Sequence, residues 1–242
     1  MVVYNMSAAL VLAVIIFVAA FPLIAVYFWF RFAKYIYPLI RYLITVLVGL
    51  AAFFPALLLQ NLLAFPIYSG RIALFYQYFV RIALTEELSR LLMLLIFFWF
   101  YNLFKSRSNA NFSQNGKQPP SLEVIKMGTA AGLVSGLGFA MLENAVYAAS
   151  DINILLFRLI TAALHGACGS RVGTAAVMLR SSPVRAVTHI LIAVAIHGIY
   201  NLMVTLPGIS SVTAVLIALS AFTMAMISIT NRSPPSEISQ TY

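Results

Sequence analysis

No charged side chain occurs between Ser7 and Phe30. A helix needs ~20 such residues to cross the hydrocarbon core of a bilayer, and in lipid every backbone polar group must be satisfied within the chain. Comparable apolar runs recur: near Tyr42 to Phe65, up to Lys105, Leu122 to Ala149, Asn153 to Leu179, Val184 to Leu206 and Ser211 to Thr230. With 62% hydrophobic and 9% charged residues and a mean hydropathy of +0.97, the chain reads as an all-α polytopic membrane helix bundle. About seven transmembrane helices in a single integral membrane domain over residues 1–242 are expected. The first run has no basic segment before it and no small-residue cleavage site, so it reads as a retained span.

Between the second and third runs, residues 71–84 are aromatic-rich and carry Arg71 and Arg81. Joined to the third run they would make a straight helix of ~50 Å, too long for one crossing. An interfacial or kinked helix is therefore expected before the third span. Residues 105–120 read as a polar loop and 231–242 as a short polar tail. The formal charge of +9 fits the lysine and arginine excess of cytoplasmic loops and requires no nucleic acid. With the N-terminus outside, the inner segments hold Arg31, Lys34 and Arg41, then Lys105, Arg107 and Lys117, then Arg180 and Arg185, then Arg232; an N-outside, C-inside topology follows. It makes 105–120 a cytoplasmic loop and 231–242 a cytoplasmic tail.

Polar side chains inside the spans need a reason. Glu86 and Glu87 are two of the six acidic residues, and Arg90 lies one turn on at i+4 and i+3, able to hold either carboxylate. The fourth span repeats Gly128, Gly132 and Gly136, a ridge of small residues for close helix packing, then Phe139 and Glu143-Asn144 one turn apart. The fifth carries His165 with Cys168 and Arg171; Cys168 reads as a small buried apolar group rather than half of a Cys–His dyad, and Arg171 needs a carboxylate or carbonyl partner. The sixth carries His197 and Asn201 at i,i+4, where the amide can orient the imidazole; His189 is turned away from that face and reads as structural. At 1.5 Å per residue, Glu86, Glu143, His165 and His197 all fall at one depth, in the outer half of the membrane, from four different spans. Carboxylates and histidines in one buried layer can build a hydrolytic site in which a carboxylate activates water and histidines stabilise an oxyanion or bind a metal.

Glu86-Glu87-x-x-Arg90, Phe139-x-x-x-Glu143-Asn144, His165 and His197-x-x-x-Asn201, in this order over residues 70–205, resemble the PrsW family of intramembrane proteases, in a superfamily with the type II CAAX prenyl endopeptidases. Arg90 stands where Lys is common, and Glu143-Asn144 replace the Phe-x-x-x-His of the CAAX enzymes. The resemblance implies a protease of membrane-anchored proteins, cutting near the extracytoplasmic face of the plasma membrane, with Glu86, Glu87, Arg90, Glu143, Asn144, His165, His197 and Asn201 as its site. Two histidines with Glu143 are the expected ligands of a zinc ion, or Glu86 activates water without metal. The chain also resembles the anterior-pharynx-defective subunit of gamma-secretase, which implies a non-catalytic scaffold instead. Three embedded carboxylates argue for catalysis, and no internal repeat supports a transporter with a proton relay.

Overall fold

The computed structural model describes residues 8–65, 70–106, 119–206 and 209–231. The described residues are helical without strands: α1 (Ala8–Phe32), α2 (Leu39–Leu62), α3 (Arg71–Phe75) with a π-helical continuation (Tyr76–Leu84), α4 (Thr85–Ser106), α5 (Leu122–Ser150), α6 (Leu155–Met178), α7 (Pro183–Val204) and α8 (Ile209–Thr230). α1, α2, α5, α7 and α8 are long and apolar enough to cross a membrane. The central part of the expected polar loop, residues 66–69, Pro207-Gly208 and the tail from 232 onward lie outside the described residues.

Contacts between ends show the helices running alternately up and down. Arg41 near the start of α2 bonds Tyr101 near the end of α4, while Gln60 near the end of α2 bonds Glu86 at the start of α4. Thr161 and Tyr200 join the start of α6 to the end of α7, and Lys126 near the start of α5 reaches Asn231 beyond α8. Among the described residues, this gathers Gln60, Glu86, Glu143, Arg158, His165 and His197 toward one end of the bundle.

α5 is the axis. It is buried from Gly128 to Ala140, and the expected packing ridge faces α6 backbone to backbone. A Cβ on Gly132 would fall on the Gly169 carbonyl oxygen, one on Gly136 on the His165 carbonyl, and one on Gly173 on the Gly128 carbonyl. Gly49 of α2 approaches the Ser135 carbonyl of α5 in the same way. Because backbone lies opposite, no rotamer change relieves an added side chain. Gly132→Leu is expected to cost ~3 kcal/mol, the upper end for overpacking, read as a lowered melting temperature in detergent; unchanged melting would mean that the contact is not made.

Residues 71–84, expected from the sequence as an interfacial or kinked helix, are helical. They run without a break into α4, and the length is accommodated by the nine-residue π-helical stretch. π segments are rare and appear mostly at functional sites. Here two anchors accompany it: Phe79 packs onto Gly198 of α7, and Arg81 Nε donates to the Gln60 carbonyl at the end of α2, 3.0 Å away. The stretch delivers Glu86 and Glu87 into the bundle on the next turn.

Candidate active site

Two chains of charge run in from opposite sides. On α4, Arg90 is completely buried and bonds Glu87 Oε1 at 2.5 Å; the same oxygen is 2.7 Å from His197 Nδ1 on α7. Arg90 also lies 4.9 Å over the Phe139 ring and donates to the His165 carbonyl at 3.2 Å. On the other side, Arg158 Nη2 at the start of α6 is 2.7 Å from Glu143 Oε2 of α5, which is 2.8 Å from His165 Nε2. The order Arg–Glu–His is thus built twice.

The two imidazoles meet at right angles with their centroids 5.0 Å apart. Their remaining nitrogens face Glu86: His197 Nε2 is 3.7 Å and His165 Nδ1 3.9 Å from Glu86 Oε2. A carboxylate only accepts, so the nitrogen against Glu87 or Glu143 carries the ring proton and the other presents a lone pair. Glu86 Oε1 takes the Gln60 amide at 3.0 Å, whereas Glu86 Oε2 and His165 Nδ1 are buried without a hydrogen-bond partner. Three acceptor atoms of Glu86, His165 and His197 therefore lie within 4.8 Å of one another. Arg90, 3.7 Å from Glu86 Oε2, is too distant to bond it. Convergent acceptors without a donor call for a cation or an added proton. Histidines whose far nitrogens are held by carboxylates are the usual form of a metal site. The donor set fits a divalent metal.

This changes the metal set expected from sequence in one member. Glu143 bonds the far side of His165, and Glu86 takes its place at the centre. Asn201 also moves in role: it lines the cavity, but His197 is oriented by Glu87. Asn144 is buried and clamps Arg158, accepting from its Nε at 2.8 Å and donating to its carbonyl at 2.9 Å. Cys168 is buried with its thiol toward the Ala193 carbonyl and makes no dyad with His165. Arg171 has no hydrogen-bond or ion-pair partner among the described residues, against the expectation.

Neither Gln60 nor Arg158 is among the site residues expected from the sequence. Both left a signal. Gln60 is a lone amide in an apolar span, and Arg158 is seven residues before His165, on the same helical face. The cluster opens into a cavity of about 300 Å³ walled by Phe53, Leu57, Ile82, Phe139 and Val146, with Tyr78, Tyr147 and Thr205 among its polar groups.

No curated protein and no solved structure matches the chain. The family model of the PrsW family intramembrane metalloproteases matches residues 37–229, a stretch that includes Gln60 and every Glu, His and Arg of the cluster, and the chain belongs to that family of integral membrane proteases.

Proposed function

We propose that the protein is a metal-dependent protease of the cell membrane that cuts membrane-anchored proteins near their extracytoplasmic end. The observation that carries this reading is the meeting of Glu86 Oε2, His165 Nδ1 and His197 Nε2 at the foot of a cavity. Glu86, His165 and His197 would hold the ion, with zinc the natural choice for two imidazoles and a carboxylate. When bound, it would supply Lewis-acid polarisation of the peptide carbonyl and a lowered pKa for water.

The chain's own residues supply the rest. Glu87 and Glu143 keep the ring protons of His197 and His165 on the outward nitrogens, so both lone pairs face the centre. Arg90 and Arg158 keep those two carboxylates ionised in a low-dielectric setting. The Gln60 amide fixes one oxygen of Glu86 and leaves the other free to bind or to take a proton. Asn201 and Tyr78 are cavity-lining groups suited to hydrogen-bonding an extended peptide. The apolar walls limit entry of bulk water.

Seven membrane crossings with the N-terminus outside complete the proposal. Arg31, Lys34, Arg41, Arg180 and Arg185 lie at the end of the bundle away from the cavity. The cavity end holds fewer cations, Arg71, Arg81 and Arg158, of which Arg81 and Arg158 are engaged by Gln60 and Glu143. By the positive-inside rule the cavity mouth then faces outward, where the end of a substrate helix frays into the extended form a protease needs.

The test is reconstitution into liposomes with a single-span reporter bearing a fluorophore on its outer stub. Release of the stub, its loss with a chelator and its return with zinc support the reading. In parallel, Val146→Cys in a Cys168→Ala background should be labelled by a membrane-impermeant thiol reagent added outside. Labelling only from the cytoplasmic side would refute the outward orientation.

A further inference from the structure

A second cavity, of about 310 Å³, lies at the opposite end of the bundle, where α1 turns into α2. Tyr27, Arg31, Lys34, Tyr35 and Tyr37 line it. It is separated from the active-site end by the length of α2, ~32 Å from Leu39 to Gln60 at 1.5 Å per residue. No residue of this cavity takes part in the catalytic cluster.

Its charge is unbalanced. Among the described residues, neither Arg31 nor Lys34 has a carboxylate in ion-pair reach. The next cation, Arg41, bonds the Tyr101 hydroxyl at 2.9 Å and lies over that ring, and so is already engaged. The hydroxyls of Tyr27 and Tyr35 have no hydrogen-bond partner among the described residues. Burial pushes the Tyr35 hydroxyl up to about 12, which keeps it a donor. Lys34 is the one non-glycine among the described residues with positive φ, at 56°. The left-handed residue closes the C-terminus of α1: the Lys34 N–H bonds the Arg31 carbonyl at 3.2 Å and the Tyr35 N–H the Phe30 carbonyl at 2.9 Å, the usual helix cap. The turn it makes brings both Arg31 and Lys34 to the cavity lining.

The surroundings identify the ligand's other half. Phe32 is 81% exposed and Ile36 88% exposed, flanking the two cations with surface suited to hydrocarbon. Donors and cations in the lining together with adjoining bare apolar side chains match a phosphodiester joined to acyl chains. An acidic peptide or a nucleic acid would leave that apolar rim against water.

We propose that the cavity between α1 and α2 is a binding site for the phosphate of an anionic phospholipid headgroup, with Arg31 and Lys34 as charge partners and Tyr27 and Tyr35 as hydroxyl donors. α2 connects this site mechanically to the active site, since Phe53, Leu57 and Gln60 on the same helix line the upper cavity. Bound lipid therefore ties α1 to α2 and steadies the helix that positions Gln60.

The experiment is a thermal melt of the purified full chain in phosphatidylcholine nanodiscs, titrated with phosphatidylglycerol, with glycerophosphate and inorganic phosphate as separate arms. Phosphatidylglycerol should raise the melting temperature saturably by several degrees. Arg31→Gln combined with Lys34→Gly, where glycine accepts the positive φ, should abolish the shift. Tyr35→Phe, which keeps the ring, should raise the lipid fraction needed for half the shift several-fold. An equal shift in all variants would overturn the site. An equal shift from glycerophosphate or inorganic phosphate would overturn the lipid as its source and assign the cavity to a soluble phosphate. Because no protease activity is read, failure here is distinct from failure of the proposed function.

Discussion

Glu86→Gln should reduce release of the reporter stub by ~10²–10⁴-fold, the range for loss of a positioned catalytic carboxylate, while, with both proteins stripped of metal by a chelator, the variant melts at the same temperature as the parent or higher. Both halves come from the same geometry. Glu86 Oε2 is a buried acceptor facing two imidazole lone pairs, and none of the three has a donor in reach. An amide has the shape of the carboxylate and adds two N–H donors at that point. It satisfies lone pairs that the carboxylate leaves facing one another, and it removes a buried charge. Native residues that lower stability for the sake of chemistry are common at active sites. Metal content should fall in the variant, since a neutral amide is a poor ligand for zinc. A variant with activity within tenfold of the parent would remove Glu86 from the centre of the mechanism.

Arg90→Met should be the most damaging single change to the fold, by about 3–5 kcal/mol, the usual result of breaking a buried ion pair from one side. The methionine fills much of the volume, but Glu87 loses its cation while fully buried. The His165 carbonyl loses a donor at 3.2 Å and Phe139 loses the guanidinium above its ring. Arg90→Lys retains the charge without the planar fork, so it should recover only part of the loss. Adding Glu87→Gln to Arg90→Met removes the stranded charge and should restore stability measurably without restoring activity, because the neutral amide can turn either its oxygen or its NH2 toward His197 Nδ1 and so no longer fixes the tautomer. Equal melting temperatures for the single and double variants would show that Glu87 is neutral when unpaired. Chemical denaturation in detergent measures all four proteins.

The sequence made the helical class and the depth of the site readable for a simple physical reason. A bilayer forbids uncompensated charge, so Glu86, Glu87, Glu143, His165 and His197 stood out against an apolar background, and helix rise alone brought them to one level. Depth is one coordinate only. It says nothing about which nitrogen of His165 faces inward, which is why Glu143 was grouped with the ligands and Glu86 treated as a base. The same limit affected Asn201: spacing on α7 puts it one turn from His197, but the partner that reaches Nδ1 comes from α4. Spacing within one helix finds neighbours along it, and the decisive contacts here are between helices. The π-helical stretch was visible only as excess length, since no residue pattern in Tyr76–Leu84 distinguishes an i→i+5 turn from a kink.

One consequence follows from the burial of α5. From Gly128 to Ala140 it presents no side to lipid, and its mean hydropathy of 1.4 is the lowest of the five most apolar helices. The bilayer by itself has little hold on such a helix; its neighbours keep it in place. Its longest contact is with α6, through glycines that allow no slippage. Pulled on mechanically, α5 and α6 should therefore leave the membrane together as one hairpin in a single rupture event. Glu143 and His165 would travel with it, so both partners of that pair leave the site in the same step.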